Sequence, residues 1–233
     1  VKYVSSSSVC ADSTTFSVTV NPTNTVYVNG AYDISTATYV QNFSVGTQES
    51  APTDITFNND GTKMYVIGSA GDDVNEYSLS TAFDVSTASY VQRFLVNSQE
   101  TNPQGIAFNN DGTKMYITGY NGRDVNEYSL STAFNVSTAS YVQRFVVSSQ
   151  ETIPSGIAFN NDGTKMFITG WSGDDVNEYS LSTAFDVSTA SYTHRFLVNS
   201  QETIPSGITF NNDGTKMYVI GYGGDNVNEY NLS

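Results

Sequence analysis

The chain has 233 residues, 38% apolar and 13% aromatic, with 16 Tyr and 13 Phe against a single Trp. That is enough for a substantial core, and a supply of Tyr, Phe, Val, Ile and Thr favours pleated sheet. Acidic residues outnumber basic ones 23 to 9, for a formal charge of −14. This balance argues against nucleic acid or anionic lipid as a partner, and no apolar run approaches the roughly 18 residues of a bilayer span.

The chain opens Val1-Lys2-Tyr3-Val4-Ser5, without Met or an apolar leader core, and so reads as a mature product or an excised fragment. Residues 1–25 fall outside the pattern that governs the rest. They read as an N-terminal extension or the remnant of a preceding β domain. Cys10 is the only cysteine, so an internal disulfide is excluded. A strand-like run follows at Ser35-Thr36-Ala37-Thr38-Tyr39-Val40-Gln41-Asn42-Phe43, and it returns as Ser86 to Phe94.

From there the chain repeats itself. Phe57-Asn58-Asn59-Asp60-Gly61-Thr62-Lys63-Met64 recurs beginning at Phe108, Phe159 and Phe210, each 51 residues after the last. One unit holds four strand-like runs: Gly105–Phe108, Lys114–Thr118, Asp124–Leu130 and Tyr141–Val147. The Asn-Asn-Asp-Gly-Thr linker between the first two is a hairpin signal, because Gly supplies a positive φ without steric cost. Asp124–Leu130 alternates polar and apolar residues. By the same alternation Asp73, Asn75 and Tyr77 share one face of their strand, and Val74 and Glu76 the other. A polar stretch, 131–140, precedes the fourth run.

Four antiparallel strands per unit predict an all-β fold, a β-propeller with one blade per 51-residue repeat. A β-solenoid is the rival, but its coils are shorter. Gly105, Ala107, Gly156, Ala158 and Gly207 suit innermost strands crowded around an axis. The propeller spans residues 26–233, with repeats at about 51–101, 102–152, 153–203 and 204–233. The last repeat holds three strands, and residues 35–50 supply the fourth, so that N-terminal strand pairing with the last blade closes a ring of four. Additional blades, or two chains sharing a ring, remain as alternatives.

Two resemblances accompany this reading. Pro154, Gly156, Ile157, Phe159, Asp162, Gly163, Lys165, Met166 and Phe167, with their equivalents 51 residues away, resemble the repeat of YVTN/NHL-type propellers, of the kind found on bacterial or phage surfaces. Cys10 to Pro22 resembles the last strand of PKD- or Ig-like modules. The first resemblance implies the fold across nearly all of 51–233. For function it implies only a choice among surface-layer and adhesion proteins, interaction modules and lactone-hydrolysing enzymes.

Catalysis is not expected. The single histidine, His194, replaces a Gln of the other repeats on an outer strand and reads as a solvated surface residue, and no catalytic set of unlike groups converges. Asp60, Asp111, Asp162 and Asp213 read as turn formers. Asp73, Asp124 and Asp175 are the candidates for a metal, with calcium the ion suited to their oxygens, and no other cofactor is called for. The repeat breaks its rule after each second strand, where Ser69, Tyr120, Trp171 and Tyr222 stand at one position. The loops joining successive blades should emerge on the same face, carrying Gln99, Glu100, Gln150, Glu151, Gln201 and Glu202. Aromatic plates beside amides and carboxylates suit a glycan or a protein hot spot equally well. The expectation is therefore a non-enzymatic, extracellular or cell-surface propeller for recognition or adhesion. A structural spacer of a surface array, fibre or virion appendage is the alternative, and a lactonase-like hydrolase a third reading.

Overall fold

The computed structural model describes residues 38–224 and 226–232. The chain divides into residues 1–40 and a compact unit of residues 41–233, and the latter builds the propeller. The expected N-terminal extension, residues 1–25, lies outside the described residues, as do residues 35–37.

The first sheet contains β1 (Pro52–Phe57), β2 (Lys63–Gly68), β3 (Asp73–Leu79) and β4 (Ala88–Leu95), paired in that order and antiparallel throughout. The second repeats it as β5 (Pro103–Phe108), β6 (Lys114–Gly119), β7 (Asp124–Leu130) and β8 (Ala139–Val146). The third contains β9 (Pro154–Phe159), β10 (Lys165–Gly170), β11 (Asp175–Leu181) and β12 (Ala190–Leu197). The last stops at three strands, β13 (Pro205–Phe210), β14 (Lys216–Gly221) and β15 (Val227–Asn231). The fold is the expected four-bladed β-propeller. The innermost strands β1, β5, β9 and β13 border a central cavity of about 410 Å³ whose apolar lining includes Ile55, Ile106, Ile157 and Ile208.

The first hairpin of each blade is made by the acidic turn. Asp60 Oδ1 accepts the Thr62 amide at 2.9 Å and its hydroxyl at 2.6 Å, while Gly61 takes φ 70°. The arrangement recurs at Asp111, Asp162 and Asp213. Hydrogen bonds from the threonine hold all four carboxyls below the usual range. Their role as turn formers is thus visible in the bonds they make.

Successive blades pack face to face, and the alternation of β3 sets the two faces. Tyr65, Ile67 and Val74 interlock with Ile106, Met115, Ile117 and Tyr128 of the next blade, and all but Ile106 are inaccessible to solvent. Burying each such side chain contributes about 2 kcal/mol, so the blade junctions, not the hairpins, hold most of the stability. At the axis the strands nearly touch: a Cβ on Gly105 would lie 2.1 Å from the carbonyl oxygen of Ser155. A polar ladder also runs around the ring. Asn59 donates to the carbonyl of Asn110, Asn110 to that of Asn161, and Asn161 to that of Asn212, at 2.5–2.6 Å.

The stretch between third and fourth strands is more than a linker. Phe83, Phe134 and Phe185 adopt φ of 57–60°, a costly conformation for a non-glycine residue. That turn lays each ring over Gly61, Gly112 or Gly163, and aims the carbonyls of Phe134 and Phe185 at the preceding blade. Lys63 Nζ and Tyr65 Oη both donate to the Phe134 carbonyl, at 2.7 and 2.6 Å, and Lys114 and Tyr116 do the same to Phe185.

The pairing expected to close the ring is not made among the described residues. β15 pairs only with β14, and residues 38–45 carry no strand. Residues 41–45 lie against the first blade, where the outer strand of a preceding blade would lie, and β15 does not reach them there. Gln41 Nε2 donates to Asp84 Oδ1 at 2.5 Å, and Phe43 stands edge-on to Tyr77 with ring centres 5.6 Å apart. Nor do β1 and β13 pack together as the pairs β1/β5, β5/β9 and β9/β13 do.

Candidate functional site

The loop after each second strand and the loop joining consecutive blades do emerge together, as the repeat implies, and a buried glutamate is what joins them. Glu100 is 1% exposed. Its carboxylate accepts the amides of Asn102 (2.7 Å), Asn121 (3.2 Å) and Gly122 (2.7 Å). Glu49 takes the amides of Ala51, Ala70 and Gly71, and Glu151 those of Ile153, Ser172 and Gly173. Glu202 does the same for Ile204, Gly223 and Gly224. Burial raises the Glu202 carboxyl, but the amides around it prevail and hold it below the usual range.

Glu100, Glu151 and Glu202 therefore lie beneath the loop face, with their oxygens committed to backbone amides. The structure does not bring them to the surface beside the aromatics. The reason is local: both loops leave several N–H groups without sheet partners, and one carboxylate satisfies three of them. Gln99 and Gln150 are half-buried and Gln201 exposed; the Gln99 amide oxygen sits 3.4 Å from the Tyr128 hydroxyl.

The aromatic positions do reach the surface. Tyr222 is 62% exposed and Tyr120 38%, while Trp171 is half-buried. Trp171 and Tyr222, on neighbouring blades, meet edge to face with ring centres 5.6 Å apart and planes at 84°. Such a pair is worth about 0.5–1.5 kcal/mol beyond its area. The Trp171 indole N–H is buried with no hydrogen-bond partner among the described residues. Next to Trp171 in its loop, the Ser172 hydroxyl is already bonded to Glu151 and Thr152. Tyr120 shares the loop position, but no ring contact joins it to Trp171 among the described residues.

Asp73, Asp124 and Asp175 are inaccessible to solvent, and each is committed to the same two partners. Asp124 Oδ1 accepts from Asn126 at 2.7 Å, and its Oδ2 faces Arg144 at 3.2 Å. Asp73 pairs with Asn75 and Arg93, Asp175 with Asn177 and Arg195. Desolvation raises all three carboxyls against these bonds. Among the described residues no three His, Cys, Asp or Glu side chains gather as a cation would require. The other face of the strand serves blade-to-blade bonding: Glu76 accepts from Gln92 and from the amide of Val136 in the next blade. His194 lies two-thirds exposed, its Nε2 3.5 Å from Glu178.

A second break in the repeat lies on the innermost strand of the first blade. Asp54 stands on the innermost strand where the other repeats have Gly105, Gly156 and Gly207. Its carboxylate borders the central cavity and accepts the amides of Ile106 (2.9 Å) and Ile55 (2.8 Å). Burial pushes its carboxyl up to about 6 in spite of these bonds. The break in the repeat could have marked it.

No family model matches the chain, and no curated protein matches it. Solved structures do. The chain is similar to a functionally unknown protein from Desulfotomaculum acetoxidans, at 16% identity and a TM-score of 0.53, over 78% of this chain and 52% of that one. It is similar to a provisionally assigned 6-phosphogluconolactonase from Bacteroides fragilis, at 14% identity and a TM-score of 0.55, over 78% and 51%. A third is the Cps50 β-propeller domain of Myceliophteria thermophila, at 11% identity and a TM-score of 0.50, over 78% and 54%. The likeness is one of fold. In each case the matched part is about half of the other chain's length. Among the described residues no helix is long and apolar enough to cross a membrane, which says nothing of β-barrels.

Proposed function

We propose that this chain is a non-enzymatic recognition or adhesion module of the YVTN/NHL propeller type. It acts outside the cell or on its surface, and its loop face binds a glycan. The observation that carries this reading is where the repeat varies. The frame is copied almost without change, buried glutamates included, while the position above it holds Ser69, Tyr120, Trp171 and Tyr222. A conserved frame under a varied aromatic surface is how a scaffold presents a site. The exposed Tyr222 ring against the half-buried Trp171 offers a sugar an apolar plate.

A lactonase reading draws on the likeness to the Bacteroides fragilis protein, which at 14% identity extends to the fold alone. The test is a glycan-array screen of the chain, with and without calcium, repeated with Trp171→Ala and Tyr222→Ala. Saturable binding weakened at least tenfold by either change, a loss of about 1.4 kcal/mol, is the expected result. The reading fails if no glycan binds, or if both variants bind as the parent does.

A further inference from the structure

Beside the outer edge of β15 lies a groove of about 960 Å³ between the third and fourth blades, walled by Phe167, Glu178, His194, Phe196 and Phe210 among others. At the two preceding junctions the corresponding place is filled by the loop and outer strand of the next blade. There the loop carbonyls of Phe134 and Phe185 meet a lysine and a tyrosine, and the amides of Val136 and Val187 meet Glu76 and Glu127. At the third junction Lys165 and Glu178 have each other, at 3.0 Å, and no such loop among the described residues.

The chain contains a second copy of the filling element. Ala31-Tyr32-Asp33-Ile34-Ser35-Thr36-Ala37 repeats Ala82-Phe83-Asp84-Val85-Ser86-Thr87-Ala88 at the same 51-residue spacing, and the match runs on into the strand. The groove wall has Phe167 where the earlier junctions have Tyr65 and Tyr116, so Lys165 is the donor left there to meet a loop carbonyl.

The neighbouring residues are already placed. Gln41 and Phe43 sit on the first blade as Gln92 and Phe94 sit on the second, in the outer-strand position of a blade that precedes it. Their own β15 does not pair with them, and among the described residues two apolar faces stay open. Ile55 is 51% exposed where Ile106 is 3%, and Ile220 and Val227 are each 49% exposed where Ile67 and Val74 are 0%. These are the two faces that mate at every interior junction.

We propose that both open ends belong to a head-to-tail contact between two copies of this chain. Residues 30–45 of each copy add the outer strand to β15 of the other, and the first blade of each covers Ile220 and Val227 of the other. Made twice about a two-fold axis, the contact closes, and two sets of four blades form one ring, within the range propellers adopt. Main-chain bonds along β15 and burial of the isoleucine faces drive it.

The register of the first blade pairs Asp73 with Leu95. By the repeat, this sets Asn226 opposite Ser44. In a Cys10→Ser background, full-length chains carrying Ser44→Cys or Asn226→Cys are denatured, mixed, refolded together and oxidised. The expected product is a disulfide-linked heterodimer on a non-reducing gel, with a native mass of about twice 25.2 kDa by light scattering. Two results overturn the proposal. One is a monomeric chain whose Ser44→Cys/Asn226→Cys double variant bridges within itself. The other is a monomer that forms no bridge at either level, in variants whose thermal unfolding matches the parent.

Discussion

Removing one buried glutamate should loosen two loops at once. In Glu100→Ala the amides of Asn102, Asn121 and Gly122 lose a carboxylate that accepts them at 2.7–3.2 Å. Hydrogen bonds to a charged group contribute on the order of 1.5–3 kcal/mol each. Part of that is returned, because the variant no longer desolvates a carboxylate and water can reach the freed amides. A net loss of about 2–4 kcal/mol follows. For a chain of this size that is a fall in Tm of about 4–16 °C. Glu100→Gln should fall between, since its amide keeps one acceptor oxygen but turns a donor toward a backbone N–H. The assay is thermal and urea unfolding followed by circular dichroism, with amide exchange at Gly122 as the local readout. A Glu100→Ala variant within 0.5 kcal/mol of the parent, with Gly122 still protected, would refute the assignment of the carboxylate as the loop anchor.

Two further changes test the fold. Asp54 has a folded-state carboxyl near 6 against an unfolded value near 3.9, so its ionised form disfavours folding above about pH 6, and this cost disappears below about pH 4. Asp54→Asn should stabilise the protein at pH 8 by on the order of 1–2 kcal/mol and do little at pH 4; an equal gain at both values in urea titrations would contradict this. Gly112 has φ 70°, and an added Cβ would meet the Phe134 ring at 2.2 Å. Gly112→Ala should therefore destabilise by about 2 kcal/mol or more in the same titrations, and a neutral result would mean the ring moves aside freely.

The blade is legible in the amino-acid sequence, because each strand and turn is encoded within a few residues and repeated. Asn58-Asn59-Asp60-Gly61 specifies its hairpin through a side-chain acceptor and a positive φ, both local properties. The period of 51 then sets the number of repeats, and alternation along Asp73–Leu79 sets which residues face the neighbouring blade. What a side chain meets across a blade junction is a long-range matter that spacing does not encode. The glutamates at 100, 151 and 202 look like surface acids in sequence, yet they are buried, since the loops above them supply amides that only folding brings together. The left-handed phenylalanines read as part of a polar linker, although their carbonyls tie each blade to the one before. Closure of the ring is the clearest case. Residues 35–50 carry the right strand for β15, but which edge a strand joins depends on the curvature accumulated over all the blades, and it is the folded chain that places residues 41–45 on the first blade and leaves β15 without a fourth strand among the described residues.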